Sequence, residues 1–188
     1  TPMTAETRFS NETSRPTLVC IGGARSASTW LHKRFSAHPD IGWLPKEPRT
    51  LSRVFEREGV RGIELAYADL AGFPVRGEKD PYYSTFSREE IQRVKDVLPD
   101  LKIIYLARNP PERALSHIAM TRKRFADGYG KRSPKTVWRM LRMAESAIQF
   151  RLGNVERTLR LWRSVFPDDQ ILIINNDDIS RDEAAILA

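Results

Sequence analysis

The sequence predicts an α/β fold: three layers, with a mostly parallel central sheet flanked by helices. Three observations carry this. Residues 17–21 (TLVCI), 101–106 (LKIIYL) and 170–174 (QILII) are short apolar runs of the length expected for buried strands. The first two stop at turn signals, Gly22-Gly23 and Asn109-Pro110-Pro111. Each turn then opens a stretch with helical character, and repeated strand, turn and helix is the mark of parallel strands joined by crossovers.

Taken in order, residues 1–15 are polar, lack an apolar core and read as a disordered leader. After the first strand, Trp30, Leu31 and Phe35 recur at helical spacing from Ser28 onward. After the second, a helix is predicted from Pro111 to about Arg124, with proline tolerated in its first turn. The basic segment 122–132 contains Gly128 and Gly130 and reads as a mobile loop. Ser133-Pro134 then starts a helix with Val137, Leu141, Ala144 and Ile148 on one face. Val155, Leu159, Trp162 and Phe166 form another apolar stripe before the third strand. Ser180-x-x-Glu183 reads as a capping box opening a last helix. No internal repeat or low-complexity linker interrupts residues 16–188, so a single domain is expected.

Composition narrows the function. The 188 residues are 40% hydrophobic and 29% charged, ordinary values for a globular chain. No apolar run approaches the roughly 20 residues of a membrane-spanning helix. Cys20 is the single cysteine, which excludes an internal disulfide framework and a cysteine-based zinc cluster. A cytoplasmic, reducing location is the expectation. The net charge is +7, but residues 108–163 hold 14 basic and 4 acidic residues, a local +10, and the remainder carries −3. Such a block suits an anionic ligand. No zinc-finger, RNP or basic-zipper pattern accompanies it, so nucleic acid is not the expected partner.

Two turns carry the chemistry. Gly23-Ala24-Arg25-Ser26-Ala27-Ser28-Thr29-Trp30 joins a strand to a helix, where free amides and the helix dipole favour a phosphate. Arg25 adds a full charge, and Ser28 and Thr29 add hydroxyls. A nucleoside-triphosphate loop requires G-x-x-x-x-G-K-[ST]; here Ala27 stands at the second glycine and Ser28 at the lysine, so ATP and GTP are disfavoured. The second turn places Arg108 at a strand end and Ser116 on the following helix. Arg113 lies three residues before Ser116, close enough to share its face. Ligands of open α/β sheets bind outside the carboxyl ends of the strands, where both turns fall.

The segment Arg25-Ser26-Ala27-Ser28-Thr29-Trp30-Leu31 resembles the 5′-phosphosulfate loop of sulfotransferases that use 3′-phosphoadenosine 5′-phosphosulfate (PAPS). Residues 107–116 (ARNPPERALS) resemble their 3′-phosphate motif, R-x-P-x-x-R-x-x-S. Lys46-Glu47-Pro48, residues 77–83 (GEKDPYY) and residues 162–174 (WRSVFPDDQILII) are similar to the heparan-sulfate-type and related bacterial branches. The resemblance spans residues 17–188 and implies a P-loop NTPase-like sulfotransferase fold. Ala27 departs from the family's glycine, and Ser28 replaces a threonine while keeping its hydroxyl. The family's cofactor-covering loop, which follows the last helix, has no counterpart before Ala188.

What the resemblance implies is sulfuryl transfer from PAPS to a hydroxyl or amine, without a metal ion. Arg25, the loop amides, Ser28 and Thr29 are expected at the departing 5′-phosphate, and Arg108 and Ser116 at the 3′-phosphate. Glu47 matches the family's general base, with His38 as the alternative. Lys79 matches a lysine near the transferred group, a role Lys46 is equally placed to fill. Tyr82, Tyr83 and Trp138 are candidate acceptor-cleft residues. The acceptor is a glycan, lipid or natural product, and the basic 122–142 stretch suits an anionic chain. Other classes left open are a nucleotide kinase-like enzyme and a non-catalytic adenine-nucleotide or polyanion-binding module.

Overall fold

The apolar run after Pro16 becomes β1 (Leu18–Gly22) in the computed structural model, which describes residues 14–45, 47–126 and 151–187. The other strands are β2 (Ile41–Trp43), β3 (Val75–Lys79), β4 (Lys102–Ala107) and β5 (Ile171–Asn175). The strand order is β2-β3-β1-β4-β5 and every pairing is parallel. A central parallel strand is covered on both faces, which is why Val19, Cys20 and Ile21 are all apolar and buried.

Successive side chains alternate faces and so feed two cores. Val19, Ile21, Ile103 and Tyr105 pack with Ile63 of α2 (Phe55–Ala66), Ile91 and Val94 of α3 (Arg88–Val97), and Trp162 of α5 (Val155–Arg163). Cys20, Ile104, Leu106 and Ile174 pack with Leu31 and Phe35 of α1 (Ser28–Ser36). Ile179 of α6 (Asn176–Arg181) and Ile186 of α7 (Glu183–Leu187) complete that layer. α4 (Pro110–Ala126) follows β4 directly. The three predicted strands and the helices after β1 and β4 form as the sequence indicates. Among the described residues no helix is long and apolar enough to cross a membrane.

The structure also corrects the sequence reading. β2 and β3 were not expected as strands, because β3 (VRGEK) has no apolar run, yet Arg76, Glu78 and Lys79 are all buried within it. Each has partners: Arg76 donates to the carbonyl oxygens of Arg15 and Phe73, and Glu78 accepts from Thr50 Oγ1 at 2.6 Å and from the Tyr83 hydroxyl. Gly77 is required by close approach, since a Cβ there would lie 2.5 Å from both the Leu18 carbonyl oxygen and the Trp43 ring. The loop expected from Arg122 does not start there: α4 continues to Ala126, no helix breaker occurring before Gly128. The helix expected after Ser133 lies outside the described residues.

The capping box at Ser180 is absent. Ser180 lies inside α6 and donates to the Asn176 carbonyl oxygen, while Asn175 caps that helix. Glu183 instead accepts from Trp30 Nε1 at 2.7 Å and pairs with Arg34, tying α7 to α1. These donors hold the Glu183 carboxyl below its ordinary pKa, the Trp30 bond contributing most.

Candidate functional site

After β1 the chain moves to β2 and β3 on one side of it, and β4 then takes the other side. Such a reversal leaves a crevice at the carboxyl ends of the central strands. A cleft of about 760 Å³ opens there, lined by the turns after β1, β3 and β4.

The first wall is the β1–α1 turn. The Gly23 amide donates to the Leu106 carbonyl oxygen at 2.7 Å, and the Ser26 amide to the Gly23 oxygen at 3.1 Å. Gly23 and the buried Ser26 thus frame the turn without lining the cleft. Ala24, Arg25, Ala27, Ser28 and Thr29 do line it. Arg25 and Ala27 are left-handed, at φ 66° and 64°, which costs an L residue roughly 1–2 kcal/mol each. Ala27 is the N-cap of α1 and has no side chain to satisfy the first-turn amides. Those amides and the positive end of the helix are directed at the cleft floor. Trp30 does not line the cleft, its indole being committed to Glu183.

The second wall is the start of α4. Arg108 Nη1 donates to the Arg25 carbonyl oxygen at 3.1 Å, and Arg108 Nε is 3.5 Å from a Glu112 carboxylate oxygen. That Nε is buried and makes no hydrogen bond. Ser116 Oγ accepts from Arg25 Nε at 3.2 Å. Arg113 does not join them as its spacing suggested. It is 7% exposed, and its guanidinium packs against the backbone of Gly153, where burial lowers its pKa.

The third wall comes from the segment after β2 and the end of β3. Lys79 Nζ lies 3.4 Å from Glu47 Oε1, with Lys79 buried and Glu47 half exposed. Arg49 stacks over the Tyr82 ring at 5.0 Å and reaches to 3.9 Å from Asp80 Oδ2. Asp80 Oδ1 accepts from the Tyr82 amide, capping the short helical turn Pro81–Thr85. Burial raises the Asp80 carboxyl pKa, and the Tyr82 amide partly offsets it. Glu47 and Arg49 are also left-handed, at φ 48° and 57°. Among the described residues, every non-glycine positive φ belongs to this cleft, the distribution expected where strain is tied to function.

The expected Glu47, Arg25, Lys79, Ser28, Thr29, Arg108, Ser116 and Tyr82 are therefore brought together, and Lys46 and Trp138 lie outside the described residues. Tyr83 is a correction. It is fully buried, donates to Glu78 and accepts from the Leu51 amide at 3.0 Å, so it supports the wall from behind. His38 is also ruled out as the alternative base, since its Nδ1 accepts from the Asp40 amide and it does not line the cleft. Sequence reasoning missed Arg49, Asp80, His32, His117, Met120, Leu152 and Asn176. Spacing held a signal for some: His32 is one turn after Ser28, and Met120 one turn after Ser116.

Comparison with known proteins bears on this geometry. The chain is 28% identical over 178 residues to heparan sulfate glucosamine 3-O-sulfotransferase 6 of Homo sapiens, covering 90% of this chain and 49% of that protein. It is 27% identical over 186 residues to heparan sulfate glucosamine 3-O-sulfotransferase 3B1 of Mus musculus, covering 92% and 44%. The chain thus spans about half the length of the curated relatives it matches. Among solved structures, a sulfotransferase from Alicyclobacillus acidocaldarius superposes with a TM-score of 0.68 at 23% identity, covering 92% of this chain and 78% of that one. The sulfotransferase domain from the curacin biosynthetic pathway does so at 0.57 and 14% identity, covering 92% and 71%. Residues 15–186 match the sulfotransferase domain model, and on that match the chain belongs to the sulfotransferase domain family.

Proposed function

We propose that this domain transfers a sulfuryl group from PAPS to a hydroxyl or amine of a glycan acceptor, releasing adenosine 3′,5′-bisphosphate. The observation that carries the reading is the convergence of two phosphate-suited turns and the Glu47–Lys79 pair in one cleft. The residues present fit a nucleotide with two phosphate groups. The uncapped first turn of α1 offers amides and the Ser28 and Thr29 hydroxyls to one of them. The buried Arg108 Nε, which makes no hydrogen bond, and Ser116 offer donors to the other.

PAPS supplies an activated sulfuryl group joined to its 5′-phosphate. In the transfer, the bond from sulfur to the phosphate oxygen breaks as a bond from sulfur to the acceptor atom forms. Its electron pair leaves with the phosphate, and the acceptor proton goes to a base. Glu47 is that base: its carboxylate is in the cleft and Lys79 holds it there at 3.4 Å. Lys79, projecting from the end of β3 beside β1, meets the charge that develops on the transferred group and leaving oxygen. The acceptor side carries Arg49 stacked on Tyr82, a cation and an aromatic face suited to an anionic sugar. The relatives named for 3-O-sulfation of glucosamine in heparan sulfate support a saccharide hydroxyl as the acceptor.

The test is calorimetry with adenosine 3′,5′-bisphosphate, ATP and AMP without metal, followed by transfer from radiosulfur-labelled PAPS to heparan sulfate oligosaccharides. Preferred bisphosphate binding and labelled saccharide are the expected results. Equal binding of all three nucleotides would overturn the PAPS reading. Preferred binding without saccharide labelling would overturn the glycan acceptor alone.

A further inference from the structure

Glu78 is fully buried and does not line the cleft, yet it sits one residue before Lys79 on β3. Consecutive strand residues point to opposite faces of a sheet. In register with β1, Glu78 pairs with Val19 and Lys79 with Cys20, and those two residues belong to different cores. Lys79 therefore reaches the cleft and Glu78 the layer behind it. Both hold the same short segment. Lys79 Nζ meets Glu47 Oε1 at 3.4 Å, and Glu78 Oε2 accepts from Thr50 Oγ1 at 2.6 Å. The other Glu78 oxygen accepts from the Tyr83 hydroxyl, which itself accepts from the Leu51 amide at 3.0 Å.

What lies between those two grips needs holding. Glu47 and Arg49 are both left-handed, at φ 48° and 57°, and such residues persist only where their surroundings over-determine them. The Arg49 carbonyl oxygen accepts from the Ser52 and Val54 amides at 3.2 and 3.4 Å, opening the short helix Thr50–Val54. The Glu47 side chain is half exposed, so its place depends on the course of its backbone as well as on Lys79.

We infer that Glu78 is a positioning residue for the transfer: by fixing Thr50 and, through Tyr83, Leu51, it sets the backbone that carries Glu47 to the acceptor hydroxyl. The inference rests on the reading of Glu47 as the base and names the group that keeps that base in place. A carboxylate suits the task, because its two oxygens accept from two hydroxyls at once. Thr50 and Tyr83 are fully buried, so water does not compete for these bonds. A general base must lie within hydrogen-bond reach of the proton it takes, and a displacement of about 1 Å can cost about 10²-fold in rate. Among the described residues, the side-chain bonds of Glu78, Thr50 and Tyr83 run to neither the β1–α1 turn nor α4. Nucleotide binding is thereby separate from this support.

The experiment measures transfer from labelled PAPS to heparan sulfate oligosaccharides, and bisphosphate binding by calorimetry. The proteins are the wild type, Thr50→Val, Thr50→Ser, Glu78→Gln, and Glu47→Gln with and without Thr50→Val. Thr50→Val removes the hydroxyl and keeps the branched shape. Its kcat falls about 10- to 100-fold, while bisphosphate affinity and the KM for PAPS stay within about 3-fold. Calorimetric stoichiometry counts the folded molecules, so partial unfolding does not pass for a loss of kcat. Thr50→Ser keeps the hydroxyl and holds kcat within about 3-fold of the wild type. Glu78→Gln, with one acceptor oxygen for two hydroxyls, also lowers kcat. In the Glu47→Gln background, Thr50→Val costs less than about 3-fold more, because a positioning residue acts through the group it positions. Unchanged kcat in both Thr50→Val and Glu78→Gln, or the full loss repeated in the Glu47→Gln background, overturns the inference and leaves the PAPS reading intact. A wild type that labels no saccharide overturns the glycan reading, and the inference with it.

Discussion

On the β1–β4 side of the cleft, strands that are apolar except for the exposed Lys102 at the start of β4 end before the chemistry starts, and Arg25, Ser28, Arg108 and Ser116 stand beyond them. On the β3 side the charges lie within the strand and just after it, at Arg76, Glu78, Lys79 and Asp80, all of them buried. The first arrangement costs less, because most of these polar groups stand on loops and early helical turns that border the open cleft. The second needs partners in the folded protein, since burying an unpaired charge is expensive. Glu78 has Thr50 and Tyr83, Lys79 has Glu47, and Asp80 has Arg49 and the Tyr82 amide. Those partners come from the segments that carry the proposed base and acceptor wall. Chemistry and stability are consequently coupled on the β3 side and separable on the nucleotide side.

Four substitutions break or sharpen that contrast. Glu47→Gln has the largest expected effect: turnover falls about 10²- to 10⁴-fold, the range for loss of a general base, while bisphosphate affinity changes by less than about 3-fold. Turnover within tenfold of the wild type would remove Glu47 from that role. Tyr83→Phe orphans the Leu51 amide and one Glu78 oxygen, costing about 2–4 kcal/mol in urea unfolding with nucleotide affinity kept. A stable variant with weakened acceptor binding would instead return Tyr83 to the acceptor wall.

Glu78→Gln tests the buried carboxyl itself. Burial lifts its pKa from 4.5 to about 7, against the lowering effect of its hydrogen bonds from Thr50 and Tyr83. The folded protein therefore holds more protons than the unfolded chain between those values, so stability declines as pH rises through that window and levels off above it. That decline amounts to on the order of 3 kcal/mol. Glu78→Gln should flatten it, and a slope of Tm between pH 5 and 8 equal to the wild type's would show that Glu78 is not its source. Ala27→Gly, on the nucleotide side, has the smallest effect. Relief of the left-handed alanine at φ 64° outweighs the added chain entropy, raising stability by about 0.5–1 kcal/mol. A lower Tm would mean that the Ala27 methyl group contributes packing that outweighs its strain.

Legibility in the sequence followed the same division. β1 and β4 were readable because the part of a strand covered on both faces must be apolar, and the turns after them carry glycine, proline, arginine and hydroxyl residues in order. β5 was readable by composition, although as an edge strand it leaves Leu172 55% exposed. β2 is three residues long, too short for periodicity to show. β3 was hidden because its charged residues are compensated by groups distant in the chain, such as Thr50 for Glu78. Arg49 and Asp80 escaped notice for the same reason, since a lone charge in a sequence has no visible partner. Tyr83 and Tyr82 are adjacent in the chain, yet one faces the core and the other the cleft.

The sequence by itself determined the α/β class, the two strand-end turns, the family resemblance and most of the residues that line the cleft. These depend on local physics: apolar runs, turn chemistry, helix starts and short motifs are written within a few residues. Only the tertiary structure decided which charges are paired, which tyrosine is buried, that Arg113 turns inward, and that Arg25 reaches Ser116 rather than remaining with its own loop. Those outcomes are largely competitions between partners distant in the chain, 28 residues apart for Thr50 and Glu78, 32 for Glu47 and Lys79 and 91 for Arg25 and Ser116, settled by burial and distance that no local pattern encodes.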